Sequence, residues 1–156
     1  MQADVASHRE LLRTTLRLNE HAPHRVRLVI RSWLGAAHPA VDDAELVASE
    51  LVTNALKHVL QGPDRDWVRL RLDEEPSRVR LDVTDPGNPR SAPRRLSLPI
   101  DQEDWIPQPG GMGIATVAEI CDEVWGTYLT RRGARVVWCY VPVRRRPDQY
   151  RWPSAP

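Results

Sequence analysis

The 156-residue sequence predicts a two-layer α/β (α+β) sandwich, a mixed, mostly antiparallel sheet covered on one face by about three helices. Three observations carry this expectation. Apolar residues recur at helical spacing in three windows, and they alternate with polar or charged residues in five others. One long proline-rich stretch between residues 85 and 111 fits neither pattern and reads as a lid. The resulting order is strand, helix, helix, strand, strand, lid, helix, strand, strand.

Leu12, Thr14, Leu16 and Leu18 begin the series with an alternating first strand. Pro23 falls where a first helical turn would start, and Val26, Val29, Ile30, Trp33 and Leu34 hold helical register up to Gly35. Pro39 interrupts the chain. Asp42 and Asp43 supply an acidic first turn for a second helix, whose apolar face is Ala44, Val47, Ala48, Leu51, Val52, Ala55, Leu56 and Val59. Gly62-Pro63 closes it. Val68, Leu70 and Leu72, then Val79, Leu81 and Val83, alternate with charged residues around a Glu74–Ser77 turn, as strands with one solvated face do. Ile114, Val117, Ala118 and Cys121 mark a third helix. A hairpin from Val124 to Leu129 and from Val136 to Val141 turns through Arg131-Arg132-Gly133.

Residues 1–10 read as a flexible N-terminus, 11–142 as one domain with its lid at about 86–111, and 143–156 as a basic, proline-rich tail. The formal net charge is +1, from 22 basic and 21 acidic residues, so no bulk field favours nucleic acid or a membrane. Two cysteines, Cys121 and Cys139, without a CxxC spacing, argue for reduced, partly buried thiols rather than a zinc site or disulfide framework. No apolar run is long enough to span a bilayer, and Met1 to Glu10 lacks a signal-peptide core. The expectation is a soluble, cytoplasmic protein.

Chemistry enters at three places. In the second helix, Glu50, Asn54 and His58 stand four residues apart and so share one flank. A carboxylate, a carboxamide and an imidazole there can act as base, metal ligand and polar contact, although most such rows are solvated helix flanks. At the end of an apolar strand, Thr84-Asp85-Pro86-Gly87 offers a carboxylate suited to an exocyclic amine. Taken alone, those residues read as an ordinary Asp-Pro-Gly turn. Gly110-Gly111-Met112-Gly113 opens the third helix, where free N–H groups and the helix dipole favour phosphate oxygens. By itself it is equally a hinge.

In this order the motifs resemble the GHKL (Bergerat-fold) ATPase superfamily, over roughly residues 10 to 142. Its small single-domain branch, the anti-sigma-factor serine/threonine kinases, is similar in length and order, and Glu50-Leu51-Val52-Thr53-Asn54-Ala55 is the N-box as that branch writes it. Stand-alone members abound in actinobacteria, in keeping with an arginine-, alanine- and proline-rich chain that has one lysine, Lys57. The resemblance implies that Asn54 coordinates the Mg²⁺ bridging ATP phosphates and that Glu50 is the general base. It implies that Asp85 binds the adenine amino group and that Gly87 admits the base. Gly111, Met112 and Gly113 would let the lid and helix start wrap the phosphates, with Lys57 and His58 bordering the site. Two departures stand out: Pro86 and Pro89 remove N–H donors after Asp85, and Ala134 occupies the place of a hairpin threonine.

The function implied is an ATP- and Mg²⁺-dependent serine/threonine kinase that phosphorylates an anti-sigma-factor antagonist and regulates a sigma factor by binding it. The resemblance also allows a homodimer. The alternative is an ATP-sensing module that holds its partner without phosphotransfer. A sensor histidine kinase domain is disfavoured because no phosphoacceptor helix precedes Leu12, and nucleic-acid binding rests only on the tail arginines.

Overall fold

The computed structural model describes residues 11–89 and 112–144. Its elements follow the expected order: β1 (Leu12–Arg17), α1 (Ala22–Leu34), α2 (Val41–His58), β2 (Trp67–Glu74), β3 (Arg78–Asp85), α3 (Met112–Ile120), β4 (Trp125–Leu129) and β5 (Arg135–Pro142). The strands form one five-stranded sheet in the order β1-β2-β3-β5-β4. Every pairing is antiparallel, so the mixed sheet expected from the sequence resolves into a wholly antiparallel one among the described residues.

Strand register sorts side chains between two faces. The inner set Leu70, Leu72, Val79, Leu81, Val83, Val137, Cys139 and Val141 is buried against the helices. Helix α2 lies at the centre of that layer. Its Val47, Ala48, Leu51, Val52 and Ala55 are each at most 1% exposed, and α1 packs alongside through Ala22, Val26 and Ile30. Asp42 and Asp43 do sit in the first turn of α2, where they complement its dipole.

The outer face of the sheet is charged but not simply solvated. Asp82 is buried there, receiving Arg80 Nε at 2.9 Å and lying 3.9 Å from Arg71. Arg78 stacks 3.8 Å from the centre of the Tyr140 ring, and Arg80 sits 5.6 Å from both Trp138 and Tyr140. Arginine stems and aromatic rings thus cover a face on which no helix packs among the described residues.

Cys121 and Cys139 are free thiols, as expected, and both are fully buried rather than partly so. Its hydrogen bond to Cys121, then burial, pushes the Cys139 thiol well above its ordinary range. No helix among the described residues is long and apolar enough to cross a membrane.

Candidate functional site

Two clusters occupy the flank of α2. The first surrounds Glu50, which is half-buried. Gly113, at the start of α3, packs so closely on it that an added Cβ would stand 2.5 Å from Glu50 Oε2. The glycine that opens the third helix therefore brings backbone against the carboxylate of the second, and a larger residue there would meet the end of the Glu50 side chain. Asn54 is also half-buried, one turn further along the same flank. Among the described residues, neither side chain has a hydrogen-bond partner. Carboxylate and carboxamide oxygens are hard donors of the kind Mg²⁺ takes, so the donor chemistry fits that ion. Two oxygen-bearing side chains do not make a closed cage, and no group of three or more His, Cys, Asp or Glu is placed to hold a metal among the described residues. Phosphate oxygens and water would complete the shell of a bound ion.

The second cluster lies by His58 at the end of α2, two turns beyond Glu50 or about 12 Å along the helix axis at 1.5 Å per residue. Asp85, the last residue of β3, is 1% exposed. Its Oδ1 accepts the Gly87 N–H at 2.7 Å, closing the Asp-Pro-Gly turn. Its Oδ2 accepts both Nε and Nη2 of Arg135, at 3.1 and 2.8 Å. Gly87 has φ +76°, and a Cβ there would meet the Gly133 carbonyl oxygen of the β4–β5 turn at 2.5 Å. The resemblance gave Gly87 the role of admitting a base; what the structure shows is that it lets the Asp85 turn lie against the hairpin.

Arg65 fastens this turn to the end of α2. Its Nε donates to the Leu60 carbonyl at 2.9 Å, and Nη2 donates to the carbonyls of Pro86 at 3.1 Å and Gly87 at 2.6 Å. Asn88 donates from its side chain to the His58 carbonyl at 3.1 Å. His58 itself is exposed, yet its imidazole is held below its ordinary pKa. Partial desolvation is the main cause, followed by the positive charges of Arg135 and Lys57, against an opposing pull from Asp85. Lys57 is exposed beside it.

Of the residues singled out in the sequence, Gly113 thus meets Glu50, while Asp85, Gly87 and His58 gather at the other end. The backbone of Met112 begins α3, but Gly111 and most of the lid lie outside the described residues. Sequence reasoning missed Arg135 and Arg65. For Arg135 a signal existed: it shares the inward phase of Val137, Cys139 and Val141, where a charge needs a partner. Arg65 lies in an irregular connection, where no periodicity marks it. A separate cavity lined by Ala36, Ala37, His38, Pro39, Val41 and Asp42 opens at the α1–α2 turn and shares no residue with either cluster.

A family model described as a histidine kinase-like ATPase domain matches residues 16–140, and the chain is a member of that family. It is similar to a crystal structure of the RsbU and RsbW domains of Rv1364c from Mycobacterium tuberculosis, with a TM-score of 0.53 and 22% sequence identity. That match covers 88% of this chain and 34% of the other, so the chain spans about a third of the protein it resembles, and the likeness is one of fold. No curated protein matches the sequence.

Proposed function

We propose that this chain is an ATP-binding regulatory domain acting as a serine/threonine protein kinase. It transfers the terminal phosphoryl group of Mg·ATP to a hydroxyl on an anti-sigma-factor antagonist, and it regulates a sigma factor by binding. The observation that supports this most directly is the contact of Gly113 with Glu50. It sets the start of α3, with its free N–H groups, beside a carboxylate and one turn from Asn54. Phosphoryl transfer needs positioning and charge neutralisation more than covalent help. Asn54 would hold the Mg²⁺, backbone donors at the helix start would face the phosphates, and Glu50 would take the proton of the attacking hydroxyl. Asp85, in the cluster by the end of α2, would receive the base. A nucleoside triphosphate has two such unlike ends.

Two substitutions test the reading. Asp85→Asn should abolish Mg·ATP binding in calorimetry while circular dichroism shows the fold intact; unchanged affinity would remove Asp85 from the site. Glu50→Ala should keep Mg·ATP affinity near that of the parent and lose phosphotransfer to an antagonist domain. The second reading, an ATP-sensing module without phosphotransfer, draws support from the engagement of Asp85 by Arg135. A parent protein that binds ATP and phosphorylates no antagonist domain would favour it.

A further inference from the structure

The Asp85 carboxylate already has the donors that a nucleobase would bring. At 1% exposure it cannot rely on water, so its oxygens must be paired within the protein. Oδ1 is taken by the Gly87 N–H, and Oδ2 receives two N–H groups from one guanidinium. An exocyclic amine and a guanidinium edge are alike here, since both are planar nitrogen donors seeking the same oxygen. We propose that Arg135 is an internal competitor for the base end of the nucleotide site, so that ATP binds as Arg135 releases Asp85, and this exchange sets the affinity.

This inference rests on the reading of Asp85 as the base-binding carboxylate. Three further features carry it. The pairing follows from the fold rather than from one rotamer: Asp85 and Arg135 are directly opposite in the β3–β5 register, and both belong to the inward phase of their strands. The pair is also exchangeable. The Arg135 side chain is 18% exposed against 2% for Asp85, so the guanidinium has a way to water that the carboxylate lacks. Its long apolar stem lets the head swing while the stem stays packed. Finally, the hairpin that carries Arg135 is tied internally by Thr130, which bonds Ala134 and Gly133, so the guanidinium can leave without the turn unfolding.

Release of Arg135 acts on the base end alone, which makes the idea separable from a general loss of positive charge. The test compares the parent, Arg135→Thr, Arg135→Gln and Asp85→Asn by calorimetry, with Mg·ATP and with Mg·tripolyphosphate, which has no base. If about a tenth of the molecules have Arg135 released, its removal tightens Mg·ATP binding about tenfold. Arg135→Thr should show that gain, Arg135→Gln a smaller one because its amide still donates, and tripolyphosphate binding should not change. Mg·ATP binding that is equal or weaker in both Arg135 variants, each folded by circular dichroism, overturns the proposal and makes Arg135 a support of Asp85. Weakening of both ligands together overturns it too, since a lost charge near the phosphates would explain that. Failure of the underlying reading looks different: Mg·ATP then binds Asp85→Asn as it binds the parent, or binds none of the four proteins.

Discussion

Gly113 and Glu50 approach so closely that a methyl group on the glycine would stand 2.5 Å from the Oε2 atom of the glutamate. The Cδ and Cβ atoms of Glu50 lie further off, at 3.6 and 3.7 Å, in ordinary contact. An alanine at 113 therefore need not separate α3 from α2, because only the end of a flexible side chain must move. Alanine also favours a helix over glycine by about 1 kcal/mol. Gly113→Ala should leave thermal stability within a few degrees of the parent, about the scale of 1 kcal/mol in a domain of this size. It should nevertheless displace the Glu50 carboxylate. If Glu50 is the general base proposed above, phosphotransfer should fall at least about tenfold, the effect of losing a positioned base in part. A full rate in Gly113→Ala would show that this carboxylate position is not used.

Gly87 presents the opposite case. Its φ of +76° is costly for any residue with a side chain, and the atom that a Cβ would meet at 2.5 Å is the backbone oxygen of Gly133. Neither partner can yield by rotating a side chain. Gly87→Ala should cost about 1–3 kcal/mol, the usual penalty for a strained backbone of this kind, and more if the hairpin turn must shift. Urea unfolding with an unchanged m-value measures it. Unaltered stability would mean that the Asp85 turn does not lie against the hairpin in solution.

These two glycines also show what the sequence could and could not disclose. The alternation of Val79, Leu81 and Val83, and the helical spacing around Leu51 and Val52, made the elements and their order legible. Asp85 and Gly113 were legible as motif positions. Their real neighbours were not, because those depend on strand order. Arg135 meets Asp85 only because β5 inserts between β3 and β4, and nothing local to either strand dictates that. The contact of Gly113 with Glu50 likewise joins residues separated by the lid. Arg65 had no periodic pattern at all, and its role emerges only when three carbonyls converge on it.

Arg65 itself yields a prediction. Its fork satisfies carbonyls of Leu60, Pro86 and Gly87, and removing it strands acceptors at a half-buried position. Gly87 keeps only a long contact with the Leu60 N–H at 3.5 Å. Arg65→Ala should destabilise by about 1–3 kcal/mol, the cost of unsatisfied buried groups. Arg65→Lys should recover little of this, since an ammonium lacks the planar fork that reaches three oxygens at once. Chemical denaturation of both variants decides the point, and full recovery by lysine would mean that charge alone holds the turn.

His58 provides a reporter of the Asp85–Arg135 pair through its titration. Its folded-state pKa lies below the ordinary 6.5, through desolvation first and then Arg135 and Lys57. As pH falls through 6.5 the unfolded chain takes up a proton before the folded one does. The contribution of His58 to stability is therefore complete above pH 6.5 and declines as pH drops from there to the folded value, below which it changes no further. Replacing Arg135 by threonine removes the second cause of the depression and frees the opposing carboxylate of Asp85. The His58 titration midpoint, followed by NMR of the ring protons, should move upward in Arg135→Thr. The pH dependence of unfolding between 6.5 and the new midpoint should shrink with it. In His58→Gln, that part of the pH dependence should vanish altogether. A midpoint that stays in place when Arg135 is replaced would show that the guanidinium does not sit beside His58 in the folded protein, and that desolvation and Lys57 hold the imidazole down unaided.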